Sequence, residues 1–65
     1  MRVRIVAYVS ECDVVPVPDV EPMSYEQAVA ELAEINRVAP ERLAEFDIVS
    51  VNADGTLGRF VSWAV

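Results

Sequence analysis

The feature that most limits how this chain can fold is that none of its side chains can cross-link it. It has 65 residues, with one cysteine and no histidine. One cysteine cannot form an intrachain disulfide, and a structural zinc site needs several cysteine or histidine ligands. A domain of this length buries only about 60% of the surface that its unfolded chain exposes. Its stability must therefore come from a small apolar core, alone or supplemented by a partner subunit.

The composition is that of a folded domain without a membrane-spanning segment. Apolar residues make up 54% of the chain, and no stretch without charge exceeds six residues. A transmembrane helix needs about 20 apolar residues, and the apolar run after Arg4 is too short for a signal peptide. We therefore expect a cytoplasmic protein in which the lone thiol, Cys12, stays reduced.

The negative charge is concentrated in one segment. The net charge is −6, but residues 11–34 hold seven acidic and no basic residues (−7), while the remainder holds five arginines and four acidic residues (+1). Such a segment should not bind nucleic acid or an anionic membrane. It could contact a basic partner, or it could simply keep an apolar-rich chain soluble.

The first third predicts one strand and one extended connection. Residues 2–9 alternate, with Val3, Ile5 and Val9 on one side and Val6 and Tyr8 on the other. Residues 12–22 contain three prolines, which exclude a helix or a central strand. They favour an extended connection that could run along a sheet edge.

A helix is predicted over residues 24–38. Ser24 and Gln27 form a capping-box pattern, and Pro40 ends the helix and opens a further helical turn over 40–45. One arc of the helix is apolar and includes Tyr25, Ala28, Val29, Leu32, Ala33, Ile35 and Ala39. The opposite arc carries a candidate acidic surface formed by Glu26, Glu31 and Glu34, although charged rows on helices are usually only solvated.

The last third predicts a β-hairpin over residues 46–64. Asn52, Asp54 and Gly55 suit a type I turn followed by a G1 bulge. A two-residue Asp54-Gly55 turn is the alternative, and it would shift the strand register by one residue.

The predicted fold class is therefore α+β: a small βαββ domain, residues 1–65, with one amphipathic helix packed on one face of a three-stranded sheet. The strand at 2–9 could lie parallel to 46–52 through a right-handed crossover. We favour the other order, in which the N-terminal strand is adjacent to the C-terminal strand.

The hairpin places large apolar residues on both sides of the sheet. With the G1-bulge turn, Val49, Val51, Leu57, Val61 and Trp63 are expected on one side, and Phe46, Ile48 and Phe60 on the other. Because a sheet face that meets water should alternate apolar with polar residues, something must cover the second face. The candidate interface residues are Tyr8, Phe60, Val61 and Trp63, although a tryptophan in so small a protein is more often a core residue than an interface residue.

Residues for catalysis are scarce. The chain has no histidine or lysine, the commonest general bases and Schiff-base formers. Cys12 lies between two acidic residues, Glu11 and Asp13, which is not the electropositive setting of a reactive thiol, so we expect a small apolar filler at the end of the first strand. The carboxylates at 11–21 lack the glycine and spacing of a calcium loop. We expect no enzyme activity, no cofactor and no metal.

The chain resembles short uncharacterised proteins of actinobacterial phages and their hosts. The resemblance rests on its arginine-only set of cations and on the stretch Phe46-Asp47-Ile48-Val49-Ser50-Val51-Asn52-Ala53-Asp54-Gly55-Thr56. The resemblance implies a viral protein in the host cytoplasm that binds and occludes a host protein surface, and it assigns no residue an activity. The alternatives are a self-assembling homodimeric accessory protein and an acidic mimic of nucleic acid.

Overall fold

The structure, a computed structural model, describes residues 1–64. In chain order its elements are β1 (Arg2–Tyr8), β2 (Val14–Pro16), β3 (Met23–Ser24), α1 (Tyr25–Val38), a 3₁₀ helix (Pro40–Glu45), β4 (Phe46–Val51) and β5 (Leu57–Phe60). The chain is a small α+β domain in which one main helix packs on an antiparallel sheet. No helix within residues 1–64 is long and apolar enough to cross a membrane.

The sheet has five strands rather than the three predicted. The strand order is β2-β1-β4-β5, and β3 pairs with the start of β1. The favoured order, with β1 beside the C-terminal strand, is wrong. The other order correctly places β1 beside β4, but the two strands are antiparallel rather than parallel, with Ile5 opposite Ile48. The C-terminal strand β5 pairs with β4 and lies at the sheet edge.

The proline-containing connection explains this topology. After β1 the chain reverses at residues 9–13, where the Val9 amide donates to the Asp13 carbonyl. It then runs back along β1 as β2, and as β3 it pairs with Arg2 and Val3. Helix α1 therefore starts at the end of the sheet where β1 itself begins. The helix ends at the opposite end of the sheet, and β4 starts there. Since β1 ends where β4 starts, the two strands run antiparallel.

The predicted capping box starts the helix. The Ser24 hydroxyl accepts a bond from the Gln27 amide at 3.2 Å, and the Gln27 side chain accepts one from the Ser24 amide at 3.3 Å. Ala28 and Leu32 are buried, and Val29 and Ile35 pack beside them. Ala33, assigned to the apolar arc, is exposed because that arc is wider than the strip that the sheet covers.

The core has one layer on each side of the sheet. Between α1 and the sheet lie five buried residues: Val3, Ile5, Ala28, Leu32 and Ile48. Val6 and Val49, with 0% and 3% of their surface exposed, are buried on the opposite face. Adjacent residues of a strand point to opposite faces, which is why Ile48 and Val49 belong to different layers.

The hairpin turn has the predicted G1-bulge form, but a second bulge follows it. The Gly55 amide donates to the Asn52 carbonyl, and Gly55 has φ +88°. Val51 then pairs with Leu57, and Val49 with Phe60, so β5 has one more residue than β4 between these pairs.

This second bulge contradicts the predicted assignment of faces. Phe60 lies with Val49 and Leu57 on the face away from the helix. Val61 and Trp63, expected on the side of Val49, pack against the core under the helix. The second strand of the predicted hairpin, residues 56–64, also stops early, at Phe60. The Val61 amide still donates to the Ile48 carbonyl at 2.9 Å.

We predict that Leu32→Ala lowers the free energy of unfolding by about 2–5 kcal/mol, because it leaves a cavity beneath the helix. Glu31→Ala, on the exposed arc, is the matched control and should change it by less than about 0.5 kcal/mol. Urea denaturation measures both. Equal losses would show that α1 does not dock through Leu32.

A second prediction concerns the bulge at Gly58. A Cβ at this position would lie 2.4 Å from the Ser50 hydroxyl, which accepts a bond from the Arg59 amide. In Gly58→Ala that hydroxyl must turn away and leave the amide unpaired, a loss of about 1 kcal/mol. The same change in a Ser50→Ala background should cost clearly less. If thermal melts give equal costs in the two backgrounds, the bulge is not where the structure has it.

Candidate functional site

The candidate site is the sheet face away from α1, here called the second face. It is formed by the residues of β1, β4 and β5 that point away from the helix: Arg2, Arg4, Val6, Tyr8, Asp47, Val49, Val51, Leu57 and Phe60. The structure places two of the four predicted interface residues here, Tyr8 and Phe60. Val61 and Trp63 are half-buried and pack against the core on the helix side of the sheet, so the four do not all lie on the second face.

The aromatic ring of Phe60 is the most exposed large apolar group of this face. Phe60 is 59% exposed, while its cross-strand partner Val49 is buried beside it. Val51 and Leu57, the next pair along the hairpin, are half-buried. Cross-strand partners lie about 5 Å apart, so these four side chains form a continuous apolar strip.

The chain itself covers the second face only on its β1 side, away from the hairpin. Arg4 lies opposite Val49, and its guanidinium donates to the Val20 carbonyl at 3.1 Å. Strand β2 brings Val14 and Pro16 level with Tyr8 and Val6. The segment 14–20 therefore shields only the part of this face around Arg4 and Val6, while Tyr8 and the hairpin side with Phe60 stay exposed.

One carboxylate ties three parts of the chain together at the end of this face. Asp47 accepts hydrogen bonds from the Tyr8 hydroxyl, the Trp63 indole N–H and the Ile48 amide, each at 2.8 Å. The hydrogen bond to Asp47 and the negative charge there raise the pKa of Tyr8 above its usual 10.0. Asp47 thus fixes the C-terminal segment against β1 and β4.

Sequence reasoning missed the part that Asp47 plays. The available signal was a lone acidic residue at the start of a strand that is otherwise apolar apart from Ser50. Such a carboxylate needs donors when it is partly buried, and Tyr and Trp are donors that reach far. Their positions, 39 residues and 16 residues away in sequence, could not be read from local spacing.

A shallow pocket of about 350 Å³ adjoins Phe60. It lies just beyond the end of β5 and is lined by Asp47, Phe60, Val61, Ser62 and Trp63. The pocket combines an aromatic wall with a carboxylate that already accepts several hydrogen bonds. It is open enough to receive a side chain of a protein partner.

Both edges of the sheet are poor sites for adding another strand. Edge strand β2 ends in Pro16, which lacks an amide donor. Edge strand β5 is bulged at Gly58, and the carbonyl of Ser62 beyond it accepts a bond from the Tyr25 hydroxyl at 2.9 Å. Bulges and prolines are the usual devices that prevent edge pairing, so contacts with a partner should involve faces rather than edges.

The candidate acidic surface lies on the exposed side of α1. Glu26, Glu31 and Glu34 are all exposed. Glu34 forms an ion pair with Arg37 one turn later, which also raises the pKa of that guanidinium. The row therefore presents two unneutralised carboxylates rather than three.

Little in the described part of the chain could hold a metal or activate a nucleophile. No group of three potential ligands occurs among residues 1–64. Cys12 is exposed in the turn after β1 and does not fill the end of the strand, contrary to expectation. The reason is that β1 ends at Tyr8, so Cys12 lies beyond the strand, in the turn at residues 9–13.

Comparison with protein-family models, with curated proteins and with solved structures finds no match for this chain.

The Tyr8–Asp47 bond predicts a pH dependence. A raised pKa in the folded state means that folding favours the protonated phenol, so this contribution to stability is present below about pH 10 and is lost as the pH rises through the folded pKa. The difference between absorbance titrations of the wild type and Tyr8→Phe at 295 nm should give a Tyr8 pKa above 10.0. Asp47→Asn should lower it. A Tyr8 pKa that Asp47→Asn leaves unchanged would show that the two side chains do not interact.

Proposed function

We propose that this chain is a non-catalytic protein-binding module that works through the hairpin side of the second face. The observation that carries the proposal is Phe60, an aromatic residue held 59% exposed above the buried Val49. Phe, like Tyr and Trp, is enriched at the centres of protein interfaces relative to the rest of the protein surface.

The pattern of this face supports a binding surface rather than a solvated one. A sheet face in water should carry polar residues at outward positions. Here the positions of β4 and β5 that point away from the helix are Asp47, Val49, Val51, Leu57 and Phe60. Of these five residues only Asp47 is charged. Arg2 and Arg4 lie beside the strip on β1. An apolar centre with charged residues at its margin is the usual layout of a protein interface.

Other exposed apolar residues do not form such a strip. Val9, just after β1, and Val38, at the end of α1, are 62% and 67% exposed, and neither lies on the second face. Val38 borders a separate small pocket with Ile35, Ala39 and Phe46. Neither residue extends the apolar strip.

Binding of this kind would act by occlusion, since a module without catalytic groups changes its partner by covering part of it. The resemblance to short actinobacterial phage proteins favours a host protein as the partner. The alternative function, an acidic mimic of nucleic acid, would use the carboxylates of residues 11–34, and the Glu34–Arg37 ion pair reduces the charge available for it.

The test compares proteins captured from the source cell by the wild type, Phe60→Ser and Val38→Ser. Val38→Ser is the matched control, because it removes an equally exposed apolar side chain away from the second face. Thermal melts first establish that all three proteins are folded. We expect the wild type and Val38→Ser to retain the same partner, and Phe60→Ser to retain at least tenfold less.

Equal capture by Phe60→Ser would contradict the proposal. A loss seen only with Glu26→Ala/Glu31→Ala would assign binding to the acidic surface instead. Direct titration of the captured partner against the same variants then gives the change in affinity.

A further inference from the structure

We infer that the Asp54–Gly55 peptide bond is a site of spontaneous isomerisation to isoaspartate, and that the folded hairpin turn holds this reaction back. The bond reacts only after the turn has opened, so the modification is coupled to local unfolding of the hairpin. This chemistry belongs to the turn alone and does not depend on what the second face binds.

The residue after each aspartate decides how easily its carboxyl group is attacked by the next amide nitrogen. The chain has four aspartates, and Asp13, Asp19 and Asp47 are each followed by valine or isoleucine, whose branched side chains crowd their own amide nitrogen. Asp54 is followed by Gly55, which has no side chain. Outside the neighbouring residues, no atom lies within 4 Å of the position that a Cβ would take at Gly55. The Gly55 nitrogen is therefore the least shielded of the four.

The reaction has two steps, and water is its only co-reactant. The Gly55 nitrogen bonds to Cγ of Asp54, and the carboxyl hydroxyl leaves as water with the amide proton, which closes a five-membered succinimide ring. A water molecule then opens the ring. Cleavage of the new Cγ–N bond restores aspartate, whereas cleavage of the original peptide C–N bond leaves the chain linked through Cγ as isoaspartate. The net change is an isomerisation without a change in mass.

The geometry of the folded turn keeps the two reacting atoms apart. The Gly55 amide donates to the Asn52 carbonyl and Asp54 has a negative φ, so the turn is type I and Asp54 is its third residue. The ψ of that residue is about 0°, which places the Gly55 nitrogen about 120° from Cβ around the Cα–C bond. Ring closure needs the nitrogen to eclipse Cβ. The Asp54 ψ must therefore rotate by about 120° before the bond can form.

Three hydrogen bonds oppose that rotation. The Gly55 amide is held by the Asn52 carbonyl at 2.9 Å. The Asp54 Oδ1 accepts from the Thr56 amide at 3.0 Å and from the Thr56 hydroxyl at 2.6 Å. These two bonds, that of the hydroxyl above all, lower the pKa of Asp54. An ionised carboxylate is a poor electrophile for this reaction, because it has no hydroxyl group to release as water.

Isoaspartate at this position would disturb the pairing of β4 with β5, because it adds a Cβ atom to the main chain of the turn. In the native turn the Asn52 amide donates to the Thr56 carbonyl at 2.8 Å. The Val51–Leu57 pair lies directly beyond it. A longer main chain does not fit the turn that aligns these partners, so we expect the isoaspartate form to melt at a lower temperature than the unmodified protein.

Incubation of the full chain for several weeks at about 37 °C and neutral pH tests the inference on the wild type, Thr56→Val and the control Ser62→Ala. Ser62→Ala removes an exposed hydroxyl that lies outside the turn. The wild type unfolded in urea gives the rate without the turn, and thermal melts first establish that the three proteins are folded in buffer. Mass spectrometry of the tryptic fragment 43–59, which contains Asp47 and Asp54, locates and quantifies isoaspartate.

We expect isoaspartate at Asp54 to form at least tenfold more slowly in the folded wild type than in the unfolded chain, because only the open turn reacts. Thr56→Val should speed the reaction of the folded protein about fivefold, the effect of one lost hydrogen bond on opening. Ser62→Ala should match the wild type.

Equal rates in the folded and unfolded wild type would overturn the inference, because the turn would then hold nothing back. An unfolded chain that forms no isoaspartate at Asp54, or forms it faster at Asp47, overturns the site. A Thr56→Val rate equal to that of the wild type overturns the part assigned to the Thr56 hydroxyl. An isoaspartate form that, once separated by chromatography, melts like the unmodified protein contradicts the expected loss of β4–β5 pairing.

Discussion

The antiparallel pairing of β1 with β4 is the interaction on which the rest of this structure depends. All seven buried residues among 1–64 lie on these two strands or on α1. On one face Val3, Ile5 and Ile48 support the helix, and on the other Val6 and Val49 form the floor of the second face. These two central strands are apolar on both faces, and a single helix can cover only one of the two faces. The uncovered side follows directly from this arrangement.

The local elements were readable from the sequence, because their signals are local. The Ser24 and Gln27 capping box, the Pro40 that starts the 3₁₀ helix and the Asn52–Gly55 turn occur where the pattern puts them. The strand order was not readable. The prolines of residues 12–22 correctly exclude a central strand, but they do not exclude a short edge strand, and β2 and β3 are what return the chain to the start of β1. That return reverses the direction in which β4 runs.

The candidate site was half predictable for a similar reason. Apolar residues on both faces of the hairpin predicted an uncovered sheet surface, and Tyr8 and Phe60 lie on it. The extra residue near Gly58 moved Phe60 to that surface and Trp63 to the helix side. A bulge of this kind is set by a tertiary contact, the Ser50 hydroxyl bonded to the Arg59 amide, and a glycine inside a strand is only a weak sign of it. Asp47 then holds Trp63 in place, so the bulge and the carboxylate together determine which aromatic residue is exposed.

The central claim is that Phe60 lies on the uncovered face while Val61 packs under the helix. A nuclear Overhauser spectrum of the dilute protein tests it most directly. We expect cross-peaks from the Phe60 ring to the Val49 methyl groups, and from the Val61 methyl groups to the core formed by Ile48 and Leu32. Strong cross-peaks from the Phe60 ring to Leu32 would contradict the account, because Phe60 would then lie under the helix and the second face would have no exposed aromatic residue.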